Sequence, residues 1–160
     1  MADTSKKELI YTAIETLLSG ISTTAGYATD VLKVDRQRGM QRQEELPTIW
    51  INDISEEIET YLPNRKVRSV LVWNAVVALK VDKHDEVEKN MLHTRLNAFI
   101  KDVRDCVASD EFLETSSPTG ERLLIMHRKR RTMTDEGFFF PKGMAVITFE
   151  AKYDYVDGAS

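Results

Sequence analysis

The sequence predicts an α+β domain, a mostly antiparallel or mixed β-sheet packed by two amphipathic helices in the order α-β-β-β-α-β-β. Three observations carry this reading. Val67–Val81 (VRSVLVWNAVVALKV) is rich in β-branched residues, contains no Gly or Pro, and is apolar on both parities, as expected of a strand covered on two faces. Residues 5–21 and 82–108 repeat apolar residues at three- and four-residue spacing, the mark of amphipathic helices. Residues 144–156 (MAVITFEAKYDYV) alternate apolar with polar, as a strand with one buried face does. A chain of 160 residues fits a single domain, 1–160, with one core.

The first helix places Leu9, Ile10, Ala13, Ile14, Leu17, Leu18 and Ile21 in one stripe. Thr4 or Ser5 is suited to the N-cap, Glu8 completes a capping box with Ser5, and Ser19-Gly20 supplies the stop. A short extended segment is expected from about Gly26 to Val34. Residues 35–46 (DRQRGMQRQEEL) are polar and read as an exposed loop, either a solvated connection or a binding loop. Pro47 opens a second strand through Ile54, followed by Glu56, Glu57 and Glu59 and a break at Pro63-Asn64. Its polar connection to the next run suggests antiparallel pairing.

At roughly 3.3 Å per residue the central strand could extend about 50 Å, well past the usual length of about 5–6 residues. Asn74 is its polar interruption, expected to mark a bulge or a hydrogen bond across a contact. The helix at 82–108 carries Val87, Leu92, Leu96, Phe99, Ile100, Val103 and Val107 on one face. Lys89, Asn90, Asn97, Lys101, Asp102 and Arg104 lie mostly elsewhere, and Asp82 or Asp85 is suited to the N-cap. A turn is expected at 117–120, a strand over 122–134, a second turn at 135–137 and a packed connector at 138–143.

Composition excludes several classes of function. Hydrophobic residues make up 42% and charged residues 30%, a folded soluble profile. The net charge of −4 gives no general pull toward nucleic acid or anionic membrane. The lone cysteine, Cys106, allows no intrachain disulfide and fits a reducing compartment. No apolar run reaches the length of a transmembrane helix. The N-terminus lacks a secretory pattern, so the cytosol is the expected place of synthesis and use.

Catalytic chemistry finds little support. Cys106 and His93 lie thirteen positions apart on one predicted helix, about 20 Å along its axis, so they cannot form a nucleophile–base pair. His84, His93 and His127 lack metal-ligand spacing. No glycine-rich turn with a Lys-Ser or Lys-Thr ending is present. No cofactor is expected.

The unusual patch is His127-Arg128-Lys129-Arg130-Arg131. It reads as a solvated hairpin, as an electrostatic contact with an acidic partner, or as a contact with DNA phosphate. The stretch Asp110-Glu111-Phe112-Leu113-Glu114 could meet the basic patch of a neighbouring copy, a head-to-tail contact of the kind that closes rings. The candidate interface or lumen residues are Arg128, Lys129, Arg130, Arg131, Asp110, Glu111, Glu114, Arg36 and Arg38.

An N-terminal LIYTAIETLLSGI helix precedes a polar loop and an LPTIWIND segment. The long VLVWNAVVALKV strand, an LHTRLNAFIKDV helix and the closing MAVITFEAKYDY strand follow. In order and texture these segments, over about residues 8–156, resemble the tail terminator or tail completion proteins of long-tailed bacteriophages. The resemblance implies a small α+β protein without catalytic residues. It implies assembly as a ring, commonly a hexamer, on the growing end of the tail tube, where it ends polymerisation and offers a surface to the head connector. Its partners would be further copies of itself, the tail tube protein, and sheath or head-completion proteins. Contact with DNA in the channel would be incidental and no membrane would be involved. Its place would be the tail or neck of the virion, after assembly in the host cytoplasm. The alternatives are a neck or head–tail joining protein and, from another class, a monomeric nucleic-acid-binding module using residues 127–131.

Overall fold

The computed structural model describes residues 5–36, 46–81, 86–110, 112–114, 126–135 and 142–156. The elements are α1 (Lys6–Ser19), a 3₁₀ turn (Thr23–Ala25), β1 (Lys33–Asp35), β2 (Thr48–Tyr61), β3 (Lys66–Lys80), α2 (Glu86–Ser109), β4 (Met126–Asp135) and β5 (Lys142–Val156). This is the expected α+β order. The five strands form one mixed sheet in the order β1-β2-β3-β5-β4. Among the described residues β1–β2 is parallel, and the pairings β2–β3, β3–β5 and β4–β5 are antiparallel. Thr4, Asp82, Asp85, the expected turn at 117–120 and the aromatic run 138–140 lie outside the described residues.

Ser5 caps α1 by accepting a hydrogen bond from Glu8 N, and Gly20 closes its far end with an N–H bond to Leu17 O. The stripe Ile10, Ala13, Ile14 and Leu18 is buried against the sheet. Leu92, Leu96, Phe99 and Val103 of α2 enter the same core, where they meet Leu71, Trp73, Ala75 and Val77 of β3 and Ile147 and Phe149 of β5. The Trp73 and Phe149 rings stack with centroids 4.7 Å apart, and the two residues sit opposite each other in the β3–β5 register. Gly143 allows α2 to approach closely, since a Cβ there would stand 3.0 Å from Leu92 Cδ1.

β3 is buried on both faces, as its composition predicts. Val76 and Ala78 point away from the helices and join Leu46 and Trp50 in a second small cluster, flanked by Met144 and Val146. Asn74 makes a cross-strand hydrogen bond: Asn52 Nδ2 donates to Asn74 Oδ1 at 3.1 Å, and the two residues are register partners. The irregularities fall on β2 instead, between Asp53 and Ser55 and between Ile58 and Thr60. The β2–β3 turn has left-handed Asn64 (φ 64) and Arg65 (φ 61), with Lys66 N donating to Pro63 O. Such a turn matches the twist of a hairpin.

Several boundaries differ from the sequence reading. The extended segment expected at 26–34 shrinks to Lys33–Asp35, because the preceding residues form a closed turn. There the Asp30 carboxylate accepts from Thr23 N and Thr23 Oγ1, and Gly26 takes φ 95. β2 does not stop near Ile54 but runs through the acidic residues to Tyr61. The two bulges break its alternation and hide that length. Asp102 is not on the solvent face of α2; it is buried and accepts from Ala28 N at 3.1 Å. Cys106 is fully buried, with its Sγ 3.3 Å from Leu17 O. β4 runs through Asp135, where the sequence predicts a turn, and Lys142-Gly143 already belong to β5 rather than to a connector; residues 122–125 of the expected strand lie outside the described residues.

Candidate interaction surfaces

The two ends of the sheet differ in chemistry. At one end β1 pairs only with Thr48–Trp50. From Ile51 to Tyr61, β2 therefore has no strand on its outer side among the described residues. This stretch carries Asp53, Glu56, Glu57 and Glu59 and no basic residue. It also carries exposed apolar residues, Ile54 at 54%, Ile58 at 48% and Tyr61 at 73%. At the other end lies β4, with Arg128 in register with Glu150, Lys129 with Phe149 and Arg131 with Thr148. The register shifts between Lys129 and Arg131, leaving Arg130 as the extra residue. The sheet thus has an acidic edge and a basic edge, each with unpaired backbone groups among the described residues.

Some of the acidic groups are tied down. Lys7 Nζ lies 2.6 Å from Asp53 and 3.4 Å from Glu56. Burial works against the Lys7 charge, but Asp53 and then Glu56 outweigh it and raise its pKa. Lys152 Nζ donates to Glu59 at 2.7 Å, and the Tyr153 hydroxyl donates to Glu56. Burial, reinforced by Glu56, pushes the Tyr153 phenol well above its usual 10.0. Burial, reinforced by Asp53, does the same to Tyr11. A folded pKa above the unfolded one gives stability that is complete below about pH 10 and lost as pH rises through the folded value. In an alkaline titration, tyrosinate absorbance from these two residues should therefore appear together with loss of the circular dichroism of the fold. Full ionisation of all five tyrosines with the fold intact would contradict this.

Arg36 is held within the chain. It donates to Glu8 at 2.9 and 3.1 Å and to Glu15 at 3.4 Å. Its guanidinium also sits 4.6 Å from the centre of the Tyr11 ring. The Arg36 hydrogen bonds hold the Glu8 carboxyl below its ordinary value. Asp110 is buried at the end of α2, where it shapes the following turn: its Oδ1 accepts from Glu114 N at 2.9 Å and its carbonyl from Leu113 N at 2.8 Å. Glu114 is exposed. Arg38 and Glu111 lie outside the described residues. The structure thus gathers Arg128–Arg131 on one edge strand but does not bring Arg36 or Asp110 to it. The acidic β2 edge is the feature that sequence reasoning missed; its signal was Ile54 and Ile58 interleaved with the carboxylates.

Two clefts are lined by described residues. One, about 270 Å³, is lined by Tyr11, Arg36, Lys7, Glu8 and Asp53, whose charges largely neutralise one another. The other, about 340 Å³, lies between Pro47, Leu79, Lys80 and Arg95. Among the described residues no three His, Cys, Asp or Glu side chains are grouped to hold a metal ion. Burial raises the pKa of the Cys106 thiol, away from nucleophilic use. No helix among the described residues is long and apolar enough to cross a membrane.

No protein-family model matches the chain, and no curated protein matches it.

Proposed function

We propose that this chain is a virion assembly protein that forms a ring on the end of a phage tail tube, stops tube growth and offers a surface to the head connector. The observation that carries the reading is the pair of oppositely charged, open edges at the two ends of one sheet. A subunit with two different, complementary edges is suited to head-to-tail association. The order α-β-β-β-α-β-β supports the reading, since the sequence resemblance rests on that order of elements.

The test is electron microscopy of tail tubes polymerised with and without the purified protein. Tubes of limited length, each with one extra ring at an end, are the expected result. Tubes that grow unchanged, with no density added at either end, would overturn it. Binding to the head connector without any effect on tube length would favour the neck or head–tail joining role. Salt-sensitive DNA binding by a monomer would favour the nucleic-acid module built on β4.

A further inference from the structure

We infer that copies of this chain join by antiparallel pairing of the β4 edge of one copy with the Ile51–Tyr61 edge of β2 in the next, making one sheet continuous across the subunits. The inference deepens the ring reading above and rests on it.

Strand direction fixes the sense of the pairing. β2 runs antiparallel to β3, β3 to β5, and β5 to β4. β2 and β4 therefore run in opposite directions, and a copy added side by side presents β2 antiparallel to β4. The lengths also agree: β4 has 10 residues, and the open part of β2 runs from Ile51 to the end of the strand at Tyr61. Adding a strand to an open edge supplies main-chain hydrogen bonds, while the side chains decide which edge is accepted.

Charge selects the partner. Two β2 edges would bring Glu57 against the same residue, together with Asp53, Glu56 and Glu59, which Lys7, Tyr153 and Lys152 already hold, and two β4 edges would bring Arg128, Lys129, Arg130 and Arg131 together. Like charges directly opposite on paired strands are destabilising, whereas opposite charges contribute roughly 0.2–1 kcal/mol a pair. The two-fold pairings are thus disfavoured and the head-to-tail one favoured. Exposed Ile54, Ile58 and Tyr61 add apolar area on the same strand. β1 covers the start of β2, so an incoming strand must seat beyond Trp50.

The test uses the full chain without tail tubes, so it can fail separately from the tube-capping reading. Sedimentation should show a species heavier than the 18.3 kDa monomer that weakens as salt is raised. Two edge variants are then compared, Glu57→Lys with Ile58→Lys on β2 and Arg128→Glu with Arg130→Glu on β4. Each is first shown to keep the unmodified circular dichroism and melting temperature. Each alone should associate at least tenfold more weakly, and mixing the two should restore assembly, because the introduced lysines of one then face the introduced glutamates of the other while the remaining edges pair as in the unmodified chain.

An unmodified chain that stays monomeric up to about 1 mM, or a folded variant that still assembles alone, would overturn the inference. A discrete mass supports pairing with ring closure. Open-ended growth that both variants abolish supports the pairing but counts against the ring. Rings on tube ends that survive both variants leave tube capping standing and remove the edge pairing.

Discussion

Replacing Trp73 with alanine should cost about 3–5 kcal/mol of folding stability, the range for deleting a large buried aromatic. Total stability of an ordinary domain is about 5–15 kcal/mol, so this one change should remove at least about a fifth of it. The physical reason is position. Trp73 is fully buried in the middle of β3, stacks on Phe149 and belongs to the core shared with both helices. Removing the indole exposes no surface for water to fill favourably and leaves Phe149 without its stacking partner, a term of about 0.5–1.5 kcal/mol beyond area burial. Trp73→Phe should recover much of the loss. Urea unfolding followed by circular dichroism measures both, and a Trp73→Ala cost below about 1 kcal/mol, well under the expected range, would show that the stack does not organise the core.

Leu113 should respond to substitution in an unusual order. Its side chain is fully buried in the core, yet its backbone is left-handed, with φ 52. Leu113→Ala removes the buried methyl groups and keeps the strained backbone, for a loss of about 2–5 kcal/mol. Leu113→Gly removes slightly more side chain but relieves a strain of about 1–2 kcal/mol. Cavity formation therefore wins in both variants, and glycine should be no worse than alanine, the reverse of the usual ranking. Asp110 holds the turn through Leu113 N and Glu114 N, so the backbone cannot simply relax to remove the strain. Chemical denaturation of the two variants side by side decides the point; an alanine variant clearly more stable than glycine would mean that the turn rearranges.

The elements legible in the sequence were those whose burial is periodic. α1 has a clean stripe and a Ser5–Glu8 cap, β5 alternates without a break, and β3 is apolar on both parities because helices cover one face and the Leu46–Trp50 cluster lies on the other. What remained hidden was aperiodic or tertiary. Two bulges shift the faces of β2, so its acidic half read as a connection. The β1–β2 pairing is parallel and only three residues long, too short to impose a pattern. Asp102 is buried because Ala28, far away in sequence, supplies its N–H. Arg36 read as a loop cation, although Glu8, Tyr11 and Glu15 recur along one side of α1 and form its cradle. The basic strand was legible from composition; its place at the sheet edge depended on β5 inserting between it and β3.

That insertion also sets the order in which the chain can fold. β2–β3 and β4–β5 are hairpins of sequence neighbours and can form from local contacts, but β3 and β5 are separated by α2 and β4. Their 15-position register is the seam of the sheet, and it closes only after residues 142–156 have left the ribosome. Until then the Trp73 face of β3 has no Phe149 to stack on. The nascent chain must carry that apolar strand unpaired on one side, and the non-local seam makes folding slow for its size.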